Sequence, residues 1–142
     1  MLRVKHLLDL KGRTVWSIRP DEPVLRAIQL MAEKGVGALP VLDGQELVGI
    51  VSERDYARKV ILQGHSSSDT LVREIMYSPV TTVTEKETVH LCMELVTDRR
   101  IRHLPVVELG RVVGIVSIGD LVKAVIEEQQ QTIDQLERYI AG

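Results

Sequence analysis

GIVSERD at positions 49–55 returns at positions 114–120 as GIVSIGD, an offset of 114 − 49 = 65 residues. Sliding the chain by that offset aligns 14–61 with 79–126 without a gap, and 15 of the 48 pairs are identical. Eleven of the identities fall between LPVLDGQELVGIVSERDYARKVI and LPVVELGRVVGIVSIGDLVKAVI. A fixed internal period marks two copies of one supersecondary unit. We call 14–61 the first repeat and 79–126 the second.

Each repeat reads alike. A short β-rich segment, TVWSI or VTTV, comes first. A helix follows with apolar residues at helical spacing: Val24, Ala27, Ile28, Leu30 and Met31, then Val89, Cys92, Met93, Leu95 and Val96. Asp21 is its expected cap in the first repeat, with Pro23 in the first turn and Gly35 past the end. In the second repeat Thr84 and Glu87 have the spacing of a capping box. Two strands, ALPVL and ELVGIVS, then join through the hairpin signal Asp43-Gly44. A second helix begins at the motif serine, with Tyr56, Val60 and Ile61, or Leu121, Val122, Val125 and Ile126, as its apolar residues.

The pattern predicts an α/β (α+β) protein of two β-α-β-β-α repeats packed face to face by a pseudo-two-fold axis, with a C-terminal helix. The expected boundaries are 1–65 for an N-terminal helix plus the first repeat, 66–78 for the linker, 79–127 for the second repeat, and 128–142 for a helical extension. The polar stretch around Gly64 and Ser66–Ser68 reads as an exposed connection. Leu121, Val125, Ile133, Leu136 and Ile140 make the last helix amphipathic, suited either to docking on its own core or to pairing with another subunit.

Composition narrows the function. The 142 residues carry a formal net charge of −2, so no bulk attraction draws the chain to nucleic acid or anionic membrane. The lone Cys92 suits a reducing compartment, and the N-terminus lacks the apolar run of a secretory signal. No run approaches the ~20 apolar residues of a membrane span. The expected setting is cytoplasmic. No His, Cys or acidic cluster has metal-ligand spacing, so no metal is required. Cys92 aligns with Ala27 on the buried helix face and reads as a core thiol.

Two interpretations of Ser-x-x-Asp use one geometry. A serine N-cap with an acidic residue three positions on is a capping box and needs no ligand. The same helix start offers free N–H groups to an anion, and the carboxylate can accept both hydroxyls of a ribose diol. Gly49 and Gly114 would admit a close backbone or ring.

ALPVL/HLPVV, LVGIVS/VVGIVS and Ser-x-x-Asp in tandem resemble a stand-alone, bacterial-type pair of cystathionine-β-synthase (CBS) domains over about residues 10 to 127. Paired CBS domains are regulatory modules that bind adenosine derivatives in clefts between repeats and commonly form disc-like dimers. The resemblance therefore implies an energy- or redox-sensing module for AMP, ADP, ATP or NAD(H), with S-adenosylmethionine ranked lower. It also implies a homodimer and a downstream protein of unknown identity; composition leaves no role for a membrane and disfavours nucleic acid.

Carried over residue by residue, it gives Asp55 and Asp120 to the ribose hydroxyls and Ser52 and Ser117 to the ribose or phosphate. Backbone at Trp16 and Thr81 would hold the adenine edge. Val36, Gly37 and Ala38, matched by Ile101, Arg102 and His103, would shape the pocket, together with Pro105 of the Leu-Pro-Val strand. Arg54 would reach phosphate. Arg54 is matched by Gly119 and Gly37-Ala38 by Arg102-His103, which predicts one strong site and one weak site. Arg58 and Lys59 read as a solvated helix face.

Two other functions compete with this one. CBS pairs are inserted in IMP dehydrogenase, but the chain falls short of the ~250 residues of a catalytic barrel, and no nucleophile–base constellation is visible, so no enzymatic activity is expected. A ligand-free scaffold would bind RNA or protein through TDRRIRH at 97–103.

Overall fold

A computed structural model describes residues 1–141. The chain divides into two compact units. One comprises Thr14–Thr81 with Leu109–Val112; the other comprises Met1–Arg13, Thr82–Glu108 and the chain from Val113 onward.

In the first of these, helix α2 (Val24–Lys34) buries Val24, Ala27 and Met31, one face at spacings of three and four. Strands β1 (Ala38–Asp43) and β2 (Glu46–Ser52) pair antiparallel, with Leu39 opposite Val51 and Ala38 opposite Ser52. Leu39, Val41 and Val51 join the α2 face in the core. The predicted opening strand is reduced to one residue: Ile18 bridges Val41 in parallel, through Ile18 N–H to Pro40 O and Leu42 N–H to Ile18 O. The hairpin loop is Gly44-Gln45 rather than Asp43-Gly44; Asp43 is the last strand residue, and Gly44 adopts φ +64°.

Asp21 does not cap α2. The N-cap is Pro23, and the Asp21 carboxylate turns instead to Arg19, 3.2 Å away. Gly35 terminates α2 in the left-handed region, as expected. The motif helix α3 (Glu53–Tyr56) continues into a π-helical turn over Ala57–Ile61, which buries Val60. The region read as an exposed linker holds a short helix, α4 (Val72–Ile75). Val72 and Ile75 are buried, and Tyr77 bridges Ile50 of β2. Two apolar residues at i and i+3 dock this segment on the core despite its polar surroundings.

In the other unit, helix α5 (Val89–Arg99) buries Val89, Cys92 and Val96. Its cap is Thr88, whose hydroxyl accepts from Leu91 N–H, and not the predicted Thr84. Strands β3 (His103–Glu108) and β4 (Arg111–Ser117) form the second hairpin, and Val83 bridges Val106 in parallel. Helix α6 runs unbroken over Ile118–Ala141, about 36 Å at 1.5 Å per residue. It buries only Leu121 and Ala124, and every residue from Gln129 to Ala141 is exposed.

Helix α1 (Val4–Lys11), expected with the first repeat, packs in the second repeat's core. Val4, Leu7 and Leu8 lie among Val83, Val89, Cys92, Leu104, Val116 and Leu121. Burying each such side chain contributes about 1.5–3 kcal/mol. The first turn of α1 has no acidic residue; its Val4 and Lys5 N–H groups donate to the carbonyls of Glu87 and Glu85. Backbone thus satisfies donors that a helix start otherwise leaves open.

The candidate nucleotide-binding turns

At the end of β2 the chain turns from strand to helix at Ser52, which has extended backbone angles. Asp55 N–H donates to Ser52 Oγ at 3.2 Å, and Asp55 Oδ2 accepts from Ser52 N–H and Oγ, each at 3.0 Å. This is a reciprocal capping box. Ala38 faces Ser52 across the hairpin, and Glu53 N–H donates to Gly37 O. Gly37, Ala38, Ser52 and Asp55 are therefore brought together.

The second repeat repeats the geometry. Asp120 Oδ2 accepts from Ser117 N–H at 2.8 Å, and Asp120 N–H donates to Ser117 Oγ at 3.1 Å. Ile118 N–H donates to Arg102 O, the counterpart of the Glu53–Gly37 bond, so Arg102, His103, Ser117 and Asp120 meet at the start of α6. The two aspartate side chains keep 20% and 26% exposure, enough for a ligand to reach carboxylates that are already oriented.

Other expected residues take less direct positions. Trp16 is exposed two residues ahead of the Ile18 bridge, and Lys34 Nζ lies 4.2 Å from its ring centroid, a cation–π contact. Thr81 is two residues ahead of Val83, partly buried. Val36 and Ile101 pack against their respective cores. Pro105 is buried, and its carbonyl accepts from Val83 N–H. Arg54 and Arg102 have exposed side chains.

Gly49 and Gly114 do permit close approach, but side chains of the protein use it. A Cβ at 49 would lie 2.5 Å from Met76 Sδ, and one at 114 would lie 2.7 Å from Leu8 Cδ2.

Sequence reasoning missed the two lysines that serve the aspartates. Lys59 Nζ stands 3.5 Å from Asp55 Oδ1 and donates to Ile75 O. Its i+4 spacing was the available signal. Lys11 Nζ stands 2.7 Å from Asp120 Oδ2, and a sequence separation of 109 leaves no such signal. Burial by itself would raise the Asp120 carboxyl; hydrogen bonds from Lys11 and Ser117 and the Lys11 charge outweigh it, so its pKa is lowered. A cavity of about 390 Å³ opens beside Lys59, lined also by His65, Thr70 and Glu74, but by none of the expected residues.

Comparison with known proteins settles the family. The CBS domain family matches residues 9–62 and 72–127. This chain is a CBS-domain protein. It is 44% identical over 136 residues to the mitochondrial CBS domain-containing protein CBSX3 of Arabidopsis thaliana, covering 92% of this chain and 66% of the relative's length. A solved structure of a protein with CBS domains from Burkholderia ambifaria MC40-6 superposes with a TM-score of 0.85 at 50% identity, covering 89% of this chain and 96% of that one. CBSX2, solved in complex with AMP, shares the fold at 24% identity and a TM-score of 0.72, with 91% and 99% of the chains covered. Among the described residues no helix is long and apolar enough to cross a membrane, and no group of three or more His, Cys, Asp or Glu side chains is placed to hold a metal.

Proposed function

We propose that this CBS pair is a regulatory module, not an enzyme, whose Ser-x-x-Asp turns bind the ribose of an adenine nucleotide: AMP, ADP, ATP or NAD(H). The observation that carries this reading is the state of the two aspartates. Each is fixed through one oxygen, Oδ2, to the serine at its own strand end and remains partly exposed. An ionised carboxylate has about four acceptor sites, so a fixed one retains capacity for a diol. The fold is also one in which AMP has been seen bound, in CBSX2.

The test is calorimetric titration of the chain, stripped of bound ligand, with AMP, ADP, ATP, NAD⁺, NADH and S-adenosylmethionine. Micromolar binding lost in Asp55→Ala or Asp120→Ala supports the reading. No binding by any of the six leaves both motifs as helix caps.

We further propose that the module acts as a homodimer, in the cytoplasm, and reports through a separate protein. Val122, Ile126, Ile133, Leu136 and Ile140 are all exposed along α6. Their separations of 4, 7, 3 and 4 are those of a heptad seam, with Gln129 at the interrupted position. A helix face of this pattern gains most by burial against a copy of itself. Ligand binding would then act by shifting the population of two arrangements for which it has different affinities.

A further inference from the structure

The two Ser-x-x-Asp turns differ in the origin of their cation. At Asp55 it comes from the motif helix itself, as Lys59, and stays 3.5 Å from Oδ1. At Asp120 it comes from outside the repeat. Lys11, the last residue of α1, donates to Asp120 Oδ2 at 2.7 Å and to the Ile115 carbonyl of β4 at 2.8 Å. The counterpart carbonyl in the first repeat, that of Ile50, accepts instead from the Tyr77 backbone N–H. Position 119, before the aspartate, is glycine where the first repeat has Arg54. The segment GIVSIGD of the second repeat therefore carries no positive charge; Arg102 comes to the turn from the chain ahead of β3, and Lys11 is the cation bonded to Asp120 itself.

Lys11 can let go of Asp120 without disturbing the helix that carries it. Helix α1 is held by the buried Val4, Leu7 and Leu8, by backbone bonds at its start, and by Arg13 just beyond it, which pairs with Asp9 and Glu85. The lysine side chain is 38% exposed and reaches Asp120 on a flexible four-carbon stem.

We infer that Lys11 is the selectivity residue of the second-repeat turn, setting its preference for phosphorylated over unphosphorylated nucleosides. This rests on the nucleotide reading above. A ribose diol accepted at Oδ1 of Asp120 draws on the same carboxylate charge that holds the ammonium at Oδ2, and so weakens that ion pair. An uncharged nucleoside offers nothing in exchange for the weakened pair. A nucleotide brings a phosphate to which the ammonium can turn, and a second charge pair makes up for the loss. Selectivity thus arises from the cost imposed on the neutral ligand as well as the gain of the charged one.

The test compares adenosine with AMP by calorimetry in an Asp55→Ala background, which silences the first turn. Thermal melting confirms that each variant is folded. With Lys11 present, AMP binds more tightly than adenosine. In Lys11→Met the AMP-to-adenosine affinity ratio falls about fivefold, the scale of one partly exposed charge pair, while Lys11→Arg keeps the ratio. An unchanged ratio in Lys11→Met, with AMP still bound and Asp120→Ala still abolishing it, overturns the role of Lys11 and leaves the nucleotide reading standing. Binding by the unsubstituted chain that vanishes in Asp55→Ala overturns this inference alone, since the second turn then holds no nucleotide; failure of the unsubstituted chain to bind either ligand overturns the nucleotide reading and this inference with it.

Discussion

Leu8 of helix α1 presses its side chain against the backbone of Gly114 in β4, where any Cβ would lie 2.7 Å from Leu8 Cδ2 and 2.9 Å from Cδ1. Leu8 is fully buried, so it has nowhere to retreat. Gly114→Ala is expected to destabilise the fold by about 1–3 kcal/mol, the range for overpacking a filled core. The matching Gly49→Ala meets Met76 along its side chain, Sδ at 2.5 Å, Cγ at 2.8 Å and Cβ at 3.1 Å, but Met76 is unbranched and only partly buried, so it can yield where Leu8 cannot and the cost should be smaller. Urea denaturation of both variants checks the order; equal stabilities would show that α1 shifts freely on the sheet.

Two residues of the second repeat hold left-handed backbone without being glycine. Arg100 ends α5 at φ +54°, where the first repeat has Gly35 at φ +67°. Leu109 stands fully exposed in the β3–β4 turn at φ +51°. Arg100→Gly and Leu109→Asn are each expected to raise stability by about 0.5–1 kcal/mol, because the strained angle is relieved. A fall in the midpoint of either variant would mean that the native side chain makes a contact worth more than the strain.

Asp120 sets a pH dependence with a definite sign. Its pKa lies below the ordinary value of 3.8 in the folded protein. Its contribution is present above the unfolded value and disappears as pH falls through the folded one, below about pH 4. Carbon-13 titration of the side-chain carboxyl should place the wild-type midpoint under 3.8. In Lys11→Met the midpoint should move up, since burial then meets less opposition. No movement would show that the Lys11 pair is not held in solution.

Cys92 is predicted to resist thiol reagents in the native state. Burial first, and the negative charge of Glu87 second, push its thiol up to about 11, so little of the nucleophilic thiolate exists near neutrality. Labelling should be slow in buffer and complete in denaturant, at a rate that follows unfolding. Rapid native labelling would reveal that α5 opens locally.

The exposed seam of α6 makes the proposed dimer testable on its own. Leu136→Glu should convert a sedimenting dimer to monomer with little change in the stability of the fold, because Leu136 makes no part of either core. Deletion of 128–142 should leave nucleotide binding intact and remove any ligand-dependent change in shape. If the deletion abolishes binding, the helix is structural.

Much of this architecture was legible in the sequence because it is local. Apolar spacing marked the buried faces of α2 and α5, Gly35 marked a helix end, and the serine and aspartate of each motif fold against one another three residues apart. Capping was harder to read. Thr84 and Asp21 have side chains suited to a helix start, but the backbone enters the helices only at Thr88 and Pro23, which are themselves held in bridges to Arg3 and Leu71. The 66–78 segment misled by composition: its serines are polar, yet Val72 and Ile75 are buried and backbone bonds such as Tyr77 N–H to Ile50 O tie it to the rest of its unit.

By itself, then, the sequence determined the doubled unit, its helices and hairpins, and the family, since these depend on periodicity and on contacts within a few residues. Tertiary structure decided which core receives α1, what presses on Gly114 and Gly49, and that Lys11 reaches Asp120. Those outcomes join residues up to 109 positions apart. Such pairings are chosen by the shape and charge left unfilled once the local elements have formed, and no spacing along the chain encodes them.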